Sequence, residues 1–78
     1  MGEATKATTG NAIAITLNGD PYQLVGDPHL TVLIQRLKMR SSRIAVELNG
    51  QVVPKAQYAT TLIGAGDVLE VINFVGGG

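Results

Sequence analysis

Apolar and polar residues alternate along most of this chain. Between Ala12 and Leu17, Ile13, Ile15 and Leu17 take one side while Ala12, Ala14 and Thr16 take the other. A period of two marks a half-buried strand. Asn18-Gly19 follows, and this pair predicts a type I′ hairpin turn, because both central residues of that turn need positive φ. Tyr22–Val25 is then the returning strand, closed by Gly26-Asp27-Pro28. Leu30, Leu33, Ile34 and Leu37 next recur at i, i+3, i+4 and i+7, one apolar stripe on a helix that the pattern carries to Met39 or Arg40. Its cap is either Asp27, with Pro28 at the first helical position, or His29.

The alternation then resumes. Ile44, Val46 and Leu48 predict a third strand, Asn49-Gly50 a second hairpin turn, and Gln51–Val53 a short return that Pro54 ends for want of an N–H. Lys55–Leu62 has no clean period and reads as loop with a helical turn. Gly64-Ala65-Gly66-Asp67 is a turn, and Val68–Phe74 is the last strand. The order β-β-α-β-β-β belongs to the α+β class, with a mixed sheet of four to five strands and one helix packed across it. That is the β-grasp, or ubiquitin-like, architecture. The expected core is Ile13, Ile15, Leu17, Leu33, Ile34, Leu37, Val46, Leu48, Leu69 and Val71. Period two then sends Val68, Glu70, Ile72 and Phe74 to the opposite sheet face, with Ala12, Ala14 and Ala45. No second layer exists to cover that face, so Ile72 and Phe74 are expected to stay partly exposed.

Composition narrows the function. With 78 residues there is one small domain, which buries only about 60% of the surface its unfolded chain exposes. Residues 1–11 carry almost nothing large and apolar and are expected to form a flexible tail, leaving 12–75 as the folded domain and 76–78 as a flexible glycine tail. Six Lys and Arg balance six Asp and Glu, against a nucleic-acid binder, which usually carries a basic excess. The longest aliphatic run, Ala12–Ile15, falls far short of the roughly 20 residues that span a bilayer. The start has neither an apolar signal region nor a myristoylation pattern. These features predict a soluble cytoplasmic domain with no membrane partner.

Most catalytic templates fail. The chain has no cysteine, and His29 is its single histidine, so thiol chemistry and a zinc site are both disfavoured and no catalytic residue is assigned. Gly64-Ala65-Gly66 lacks the third glycine and following helix of a dinucleotide fingerprint and is read as a turn. Four of the six cations lie between Arg36 and Arg43. They either offset the dipole at a helix C-terminus or form a docking patch for an acidic partner.

The end of the chain is the distinctive feature. Gly76-Gly77-Gly78 directly follows an apolar strand, although glycine is the most costly residue to order. A side-chain-free tail can enter a narrow channel, and at roughly 3.3 Å per residue Val75 and the glycines reach about 13 Å beyond the strand. Gly76, Gly77 and Gly78 are therefore candidates for insertion into a partner, with Ile72, Phe74 and Val75 as its docking surface. A terminal glycine also leaves its carbonyl unhindered, so the reactive group is the Gly78 α-carboxylate.

Val46-Glu47-Leu48-Asn49-Gly50-Gln51-Val52-Val53-Pro54-Lys55, then Tyr58, then Gly66-Asp67-Val68-Leu69-Glu70-Val71 and the glycine end resemble the ThiS family, the sulfur carriers of thiamine biosynthesis. The resemblance spans about residues 12–78. It implies a β-grasp fold and a protein co-substrate rather than an enzyme. It implies that a ThiF-like (E1-like) adenylyltransferase uses ATP to adenylate Gly78, with no cofactor bound by the chain itself. A cysteine-derived sulfur donor then gives a thiocarboxylate, which a ThiG-like thiazole synthase consumes. Gly77 and Gly78 match the family's terminal pair. The extra Gly76, His29 in place of the commoner Thr or Ser, and the segment 1–11 depart from the pattern. Alternatives are a MoaD-like small subunit of molybdopterin synthase, a carrier for another sulfur pathway, a ubiquitin-like modifier and a plain interaction module.

Overall fold

The computed structural model describes residues 12–74. The expected tail at 1–11, together with Val75 and the three terminal glycines, lies outside the described residues. Strands β1 (Ala12–Leu17) and β2 (Asp20–Val25) form the first hairpin, helix α1 (Leu30–Arg36) follows, and β3 (Ile44–Leu48) and β4 (Gln51–Val52) form the second hairpin. Single 3₁₀ turns occupy Ser41–Arg43 and Lys55–Gln57, and β5 (Val68–Asn73) comes last. The five strands lie in the order β2-β1-β5-β3-β4. β5 runs parallel to β1 and antiparallel to β3. This is the mixed β-grasp sheet that the element order predicts.

Both hairpins turn as their Asn-Gly pairs require. Asn18 and Gly19 have φ of 51° and 85°, and Asn49 and Gly50 have 53° and 85°. The asparagines also hold the central strand. Asn18 accepts the Val71 N–H on Oδ1 at 2.8 Å, and Asn49 accepts the Val68 N–H at 2.9 Å. The Asn18 N–H still bonds the Leu69 carbonyl at 2.9 Å, and the Asn18 side chain supplies the next rung, beyond the paired residues Thr16 and Leu17.

β2 begins earlier than its alternation shows, and includes Pro21 opposite Thr16. Proline is tolerated because β2 is an edge strand, where its missing N–H faces no partner. β4 is one residue shorter than expected, and β5 ends at Asn73, with Phe74 just beyond.

The helix corrects the sequence reading most. It ends at Arg36, not at Met39 or Arg40. The Lys38 N–H donates to the Gln35 carbonyl at 2.9 Å and the Met39 N–H to the Ile34 carbonyl at 3.2 Å. These two bonds make a Schellman stop, whose left-handed residue is usually glycine. Here it is Lys38, at φ 60°. Met39 and Ile34 both pack on the core, the hydrophobic contact that accompanies this stop. At the other end His29 is the cap residue and its side chain caps nothing. Instead the Leu30 N–H donates to the Thr61 carbonyl at 2.9 Å and the Thr31 N–H to the Tyr58 carbonyl at 3.2 Å. The loop before β5 thus satisfies helix donors that a Ser or Thr cap would otherwise serve. Asp27 takes the His29 N–H at 2.9 Å and contacts its ring Nδ1 at 2.6 Å. The backbone bond above all holds its carboxyl below the usual value.

A left-handed conformation costs a non-glycine residue roughly 1–2 kcal/mol, and glycine gives back roughly 0.5–1 kcal/mol of that through its freer unfolded chain. Lys38→Gly is therefore expected to stabilise the fold by about 0.5–1 kcal/mol, read as a higher denaturant midpoint. An unchanged or lower midpoint would contradict the strained-lysine reading.

The core comprises Ile15, Leu24, Leu30, Leu33, Ile34, Ile44, Val46, Tyr58, Ile63, Leu69 and Val71. Of the expected members, Ile13, Leu17, Leu37 and Leu48 are only half-buried against it. Leu37 is the C-cap residue, its N–H still bonded to the Leu33 carbonyl at 3.0 Å, and it stands at the helix end with only part of its side chain covered. Leu24, Leu30, Ile44, Tyr58 and Ile63 are buried although the expected core omits them, Tyr58 and Ile63 because they sit in a stretch without period. Burial pushes the Tyr58 phenol above its ordinary pKa.

Candidate functional site: an open sheet face and the root of the glycine tail

The helix covers one face of the sheet and leaves the other bare. On the bare face β5 contributes Val68, Glu70 and Ile72, β3 contributes Ala45 and Glu47, and β4 contributes Val52. Ile72 is 50% exposed and Phe74, just past β5, is 54% exposed. Ala45 lies directly opposite Ile72, and its small side chain leaves the isoleucine standing proud. Ile72 and Phe74 are thus exposed, as period two requires, and the Phe74 ring does not fold back into the core. Contiguous exposed apolar side chains commonly mark interaction sites.

This patch is bounded by charge of both signs. Glu47 and Glu70 are cross-strand partners, an arrangement of like charges that costs stability. At the far end of β5 the Phe74 N–H donates to the Arg43 carbonyl at 2.7 Å. That bond fastens the last described residue to the Ser41–Arg43 turn, so the chain leaves the domain beside the basic segment. Arg36, in the last helical turn, hydrogen-bonds the Val25 carbonyl. Lys38, Arg40 and Arg43 lie beyond the helix and are exposed.

β5 is aimed from its start. The Gly64 N–H and the Asn49 side-chain amide both donate to the Asp67 carboxylate, at 2.7 and 3.1 Å. The Thr16 N–H bonds the Asp67 carbonyl at 3.0 Å. The Gly-Asp pair and the second Asn-Gly pair are therefore one structural unit that sets where β5 begins, and hence where the tail departs. Sequence reading found both motifs but had no signal for their contact.

Of the candidate site residues, Ile72 and Phe74 are brought together at the tail root. Val75, Gly76, Gly77 and Gly78 lie outside the described residues. A shallow depression of about 310 Å³ on the bare face is lined by Ala14, Pro21, Tyr22 and Gln23 and gathers no ionisable group apart from the Tyr22 phenol. Among the described residues no three His, Cys, Asp or Glu converge as a metal site, and no helix is long and apolar enough to cross a membrane.

A five-stranded mixed sheet with one helix on one face and a terminal strand running out between exposed apolar residues defines a ubiquitin-like β-grasp domain. A designed protein based on a human erythrocytic ubiquitin template shares this fold, with a TM-score of 0.50 at 23% identity, over 87% of this chain and 96% of that one. The ThiS family model matches residues 15–78, and the chain belongs to that family. The crystal structure of the thiamine biosynthesis protein ThiS from Geobacter metallireducens superposes with a TM-score of 0.71 at 33% identity, over 85% of this chain and 100% of that one. The ycf40 protein of Pyropia yezoensis is 39% identical over 66 residues, 85% of this chain and 93% of that protein. A thiazole synthase from Paramagnetospirillum magneticum is 34% identical over 64 residues, 82% of this chain but only 20% of that enzyme.

Proposed function

We propose that this chain is a sulfur carrier protein of thiamine biosynthesis, a co-substrate rather than a catalyst, whose working group is the α-carboxylate of Gly78. Membership of the ThiS family, with a match that runs through Gly78, is the observation that carries this reading. The carboxylate oxygen attacks the α-phosphorus of ATP on a ThiF-like adenylyltransferase and pyrophosphate leaves. A hydrosulfide equivalent derived from cysteine then attacks the acyl carbon and expels AMP, and loss of its S–H proton leaves the thiocarboxylate. A ThiG-like thiazole synthase takes up that sulfur for the thiazole ring. The stretch of the Paramagnetospirillum magneticum thiazole synthase that resembles this chain supports that acceptor. A carrier and an acceptor joined in one polypeptide meet at a high effective concentration.

The fold's part is presentation. β5 is held on one side by β3 and at its start by β1 and the two asparagines. Gly76, Gly77 and Gly78 are proposed to enter the partner's channel, with Ile72, Phe74 and Val75 docking at its mouth. Intact-mass spectrometry after incubation with ATP, the adenylyltransferase and a sulfur donor is expected to show sulfur replacing oxygen on the carrier. An unchanged mass with an active adenylyltransferase would sink the reading.

Phe74→Ser tests the docking surface. Buried aromatic anchors are worth about 2 kcal/mol or more at an interface, so the Kd for the adenylyltransferase is expected to rise by roughly 30-fold. Stability is expected to change by less than about 1 kcal/mol, since the ring is largely solvated already. A variant that unfolds readily, yet binds with unchanged affinity while folded, would assign Phe74 to the core instead.

A further inference from the structure

We propose that Lys38, Arg40 and Arg43 form a cationic rim at the root of the tail, and that it docks against an acidic protein surface framing the opening that receives the glycines. The inference rests on the carrier reading above for the identity of the partner. Four observations lead to it. The first narrows the simplest explanation of these cations, because it leaves Arg40 and Arg43 outside it. The helix macrodipole acts within the last turn of a helix, and α1 ends at Arg36. Arg36 alone occupies that turn, and its guanidinium is committed to the Val25 carbonyl.

The second is position. The Phe74 N–H is bonded to the Arg43 carbonyl, and the Arg43 N–H to the Arg40 carbonyl at 2.9 Å. Two of the cations therefore belong to the same turn that anchors the tail. The third is availability. Among the described residues, no carboxylate forms an ion pair with Lys38, Arg40 or Arg43. Asp20 stands at the first hairpin opposite Leu17, Asp27 is taken by His29 and Asp67 by Gly64 and Asn49, while Glu47 and Glu70 face each other on the bare sheet face.

The fourth is strain. Lys38 holds a left-handed conformation at the helix stop, where glycine serves at lower cost. A residue kept against its backbone preference calls for a role that glycine lacks, and at an exposed position the ammonium group is what glycine lacks. A protein with no net formal charge gathers its positive charge at the point where its reactive tail departs. Complementary charge there speeds productive encounter and orients the tail toward its channel.

The test measures association of the full-length carrier with the adenylyltransferase by stopped flow, at low and at near-physiological ionic strength, alongside the mass assay. Reversing two charges together, Arg40→Glu with Arg43→Glu, is expected to slow association about 10- to 100-fold at low salt, and the gap is expected to narrow as salt rises. Lys38→Gly is expected to associate about two- to threefold more slowly even though it unfolds at higher denaturant. Lys55→Glu, a cation in the other 3₁₀ turn, is expected to stay within about twofold of the parent chain. The neutral pair Arg40→Gln with Arg43→Gln serves if the reversal impairs folding, with a smaller loss in the same direction. A double variant that associates like Lys55→Glu while the parent chain gains sulfur overturns the rim and leaves the carrier reading intact. Salt-dependent association that the double variant loses, without any sulfur gain by the parent chain, upholds the rim and overturns the carrier reading. No association of the parent chain at either ionic strength overturns the rim.

Discussion

Removal of Gly77 and Gly78 is expected to abolish sulfur acceptance outright while the folded domain survives. The chemistry requires a carboxylate that reaches the α-phosphorus of ATP inside the partner. Each residue removed withdraws the chain end by roughly 3.3–3.6 Å, so two residues shift it by about 7 Å, far beyond the near-contact distance a reacting pair needs. The truncated chain also ends at Gly76, so a carboxylate remains and only its reach is lost. Replacing the last glycine at unchanged chain length, Gly78→Ala, isolates the second requirement. It preserves reach but places a side chain where the channel is proposed to take none, and it too is expected to accept no sulfur.

Stability provides the contrast. Among the described residues the buried ones all lie between Ile15 and Val71, so the truncation is expected to move the unfolding midpoint by no more than about 3 °C, the effect of roughly 0.5 kcal/mol in a domain this small. Intact-mass spectrometry and a thermal melt on the same sample check both halves. Sulfur gain by the truncated chain would refute the assignment of Gly78.

Leu33→Ala is expected to have the largest effect on stability, about 2–5 kcal/mol. Leu33 is 0% exposed, at the centre of the helix face that meets the sheet. Removing its isobutyl group loses transfer energy and leaves a cavity in a core that also holds the β-branched Val46 and Ile15. Small domains have about 5–15 kcal/mol in total, so the variant is expected to be partly unfolded at 37 °C. Leu37→Ala is the comparison. The same stripe carries it, but it is only half-buried, past the end of the helix, and its cost is expected to be clearly lower. Denaturant unfolding of both variants decides the point. Equal losses would mean that the stripe, not the helix end, sets burial.

Much of the fold is legible because its signals are local. Period two places Ile15, Val46, Leu69 and Val71 inside and Ile72 outside, since a strand's faces alternate whatever its neighbours are. Asn-Gly sets a turn through its own φ preference. The bare sheet face follows by subtraction, because one helix covers one face. The candidate docking residues Ile72 and Phe74 were legible for that reason, and the terminal glycines by their position.

Three features were not legible, and each depends on a partner distant in sequence. Helix capping comes from the carbonyls of Tyr58 and Thr61, more than twenty residues downstream, so the absence of a Ser or Thr cap looked like a defect. The helix stop lies within an unbroken apolar stripe, and Met39 packing on the core past a left-handed lysine is a tertiary choice that the periodicity of Leu30–Leu37 cannot express. The basic segment leaves two readings open, helix-end charge or a docking patch, and only the Phe74–Arg43 bond places it beside the last described residue.

By itself, then, the sequence determined which faces are apolar and where the chain turns. These depend on dihedral preference and side-chain polarity, which each residue carries with it. Only the tertiary structure decided where the helix ends, what caps it and which charges stand beside the end of β5. Those depend on hydrogen bonds and packing between segments that meet only once the sheet has closed around β5.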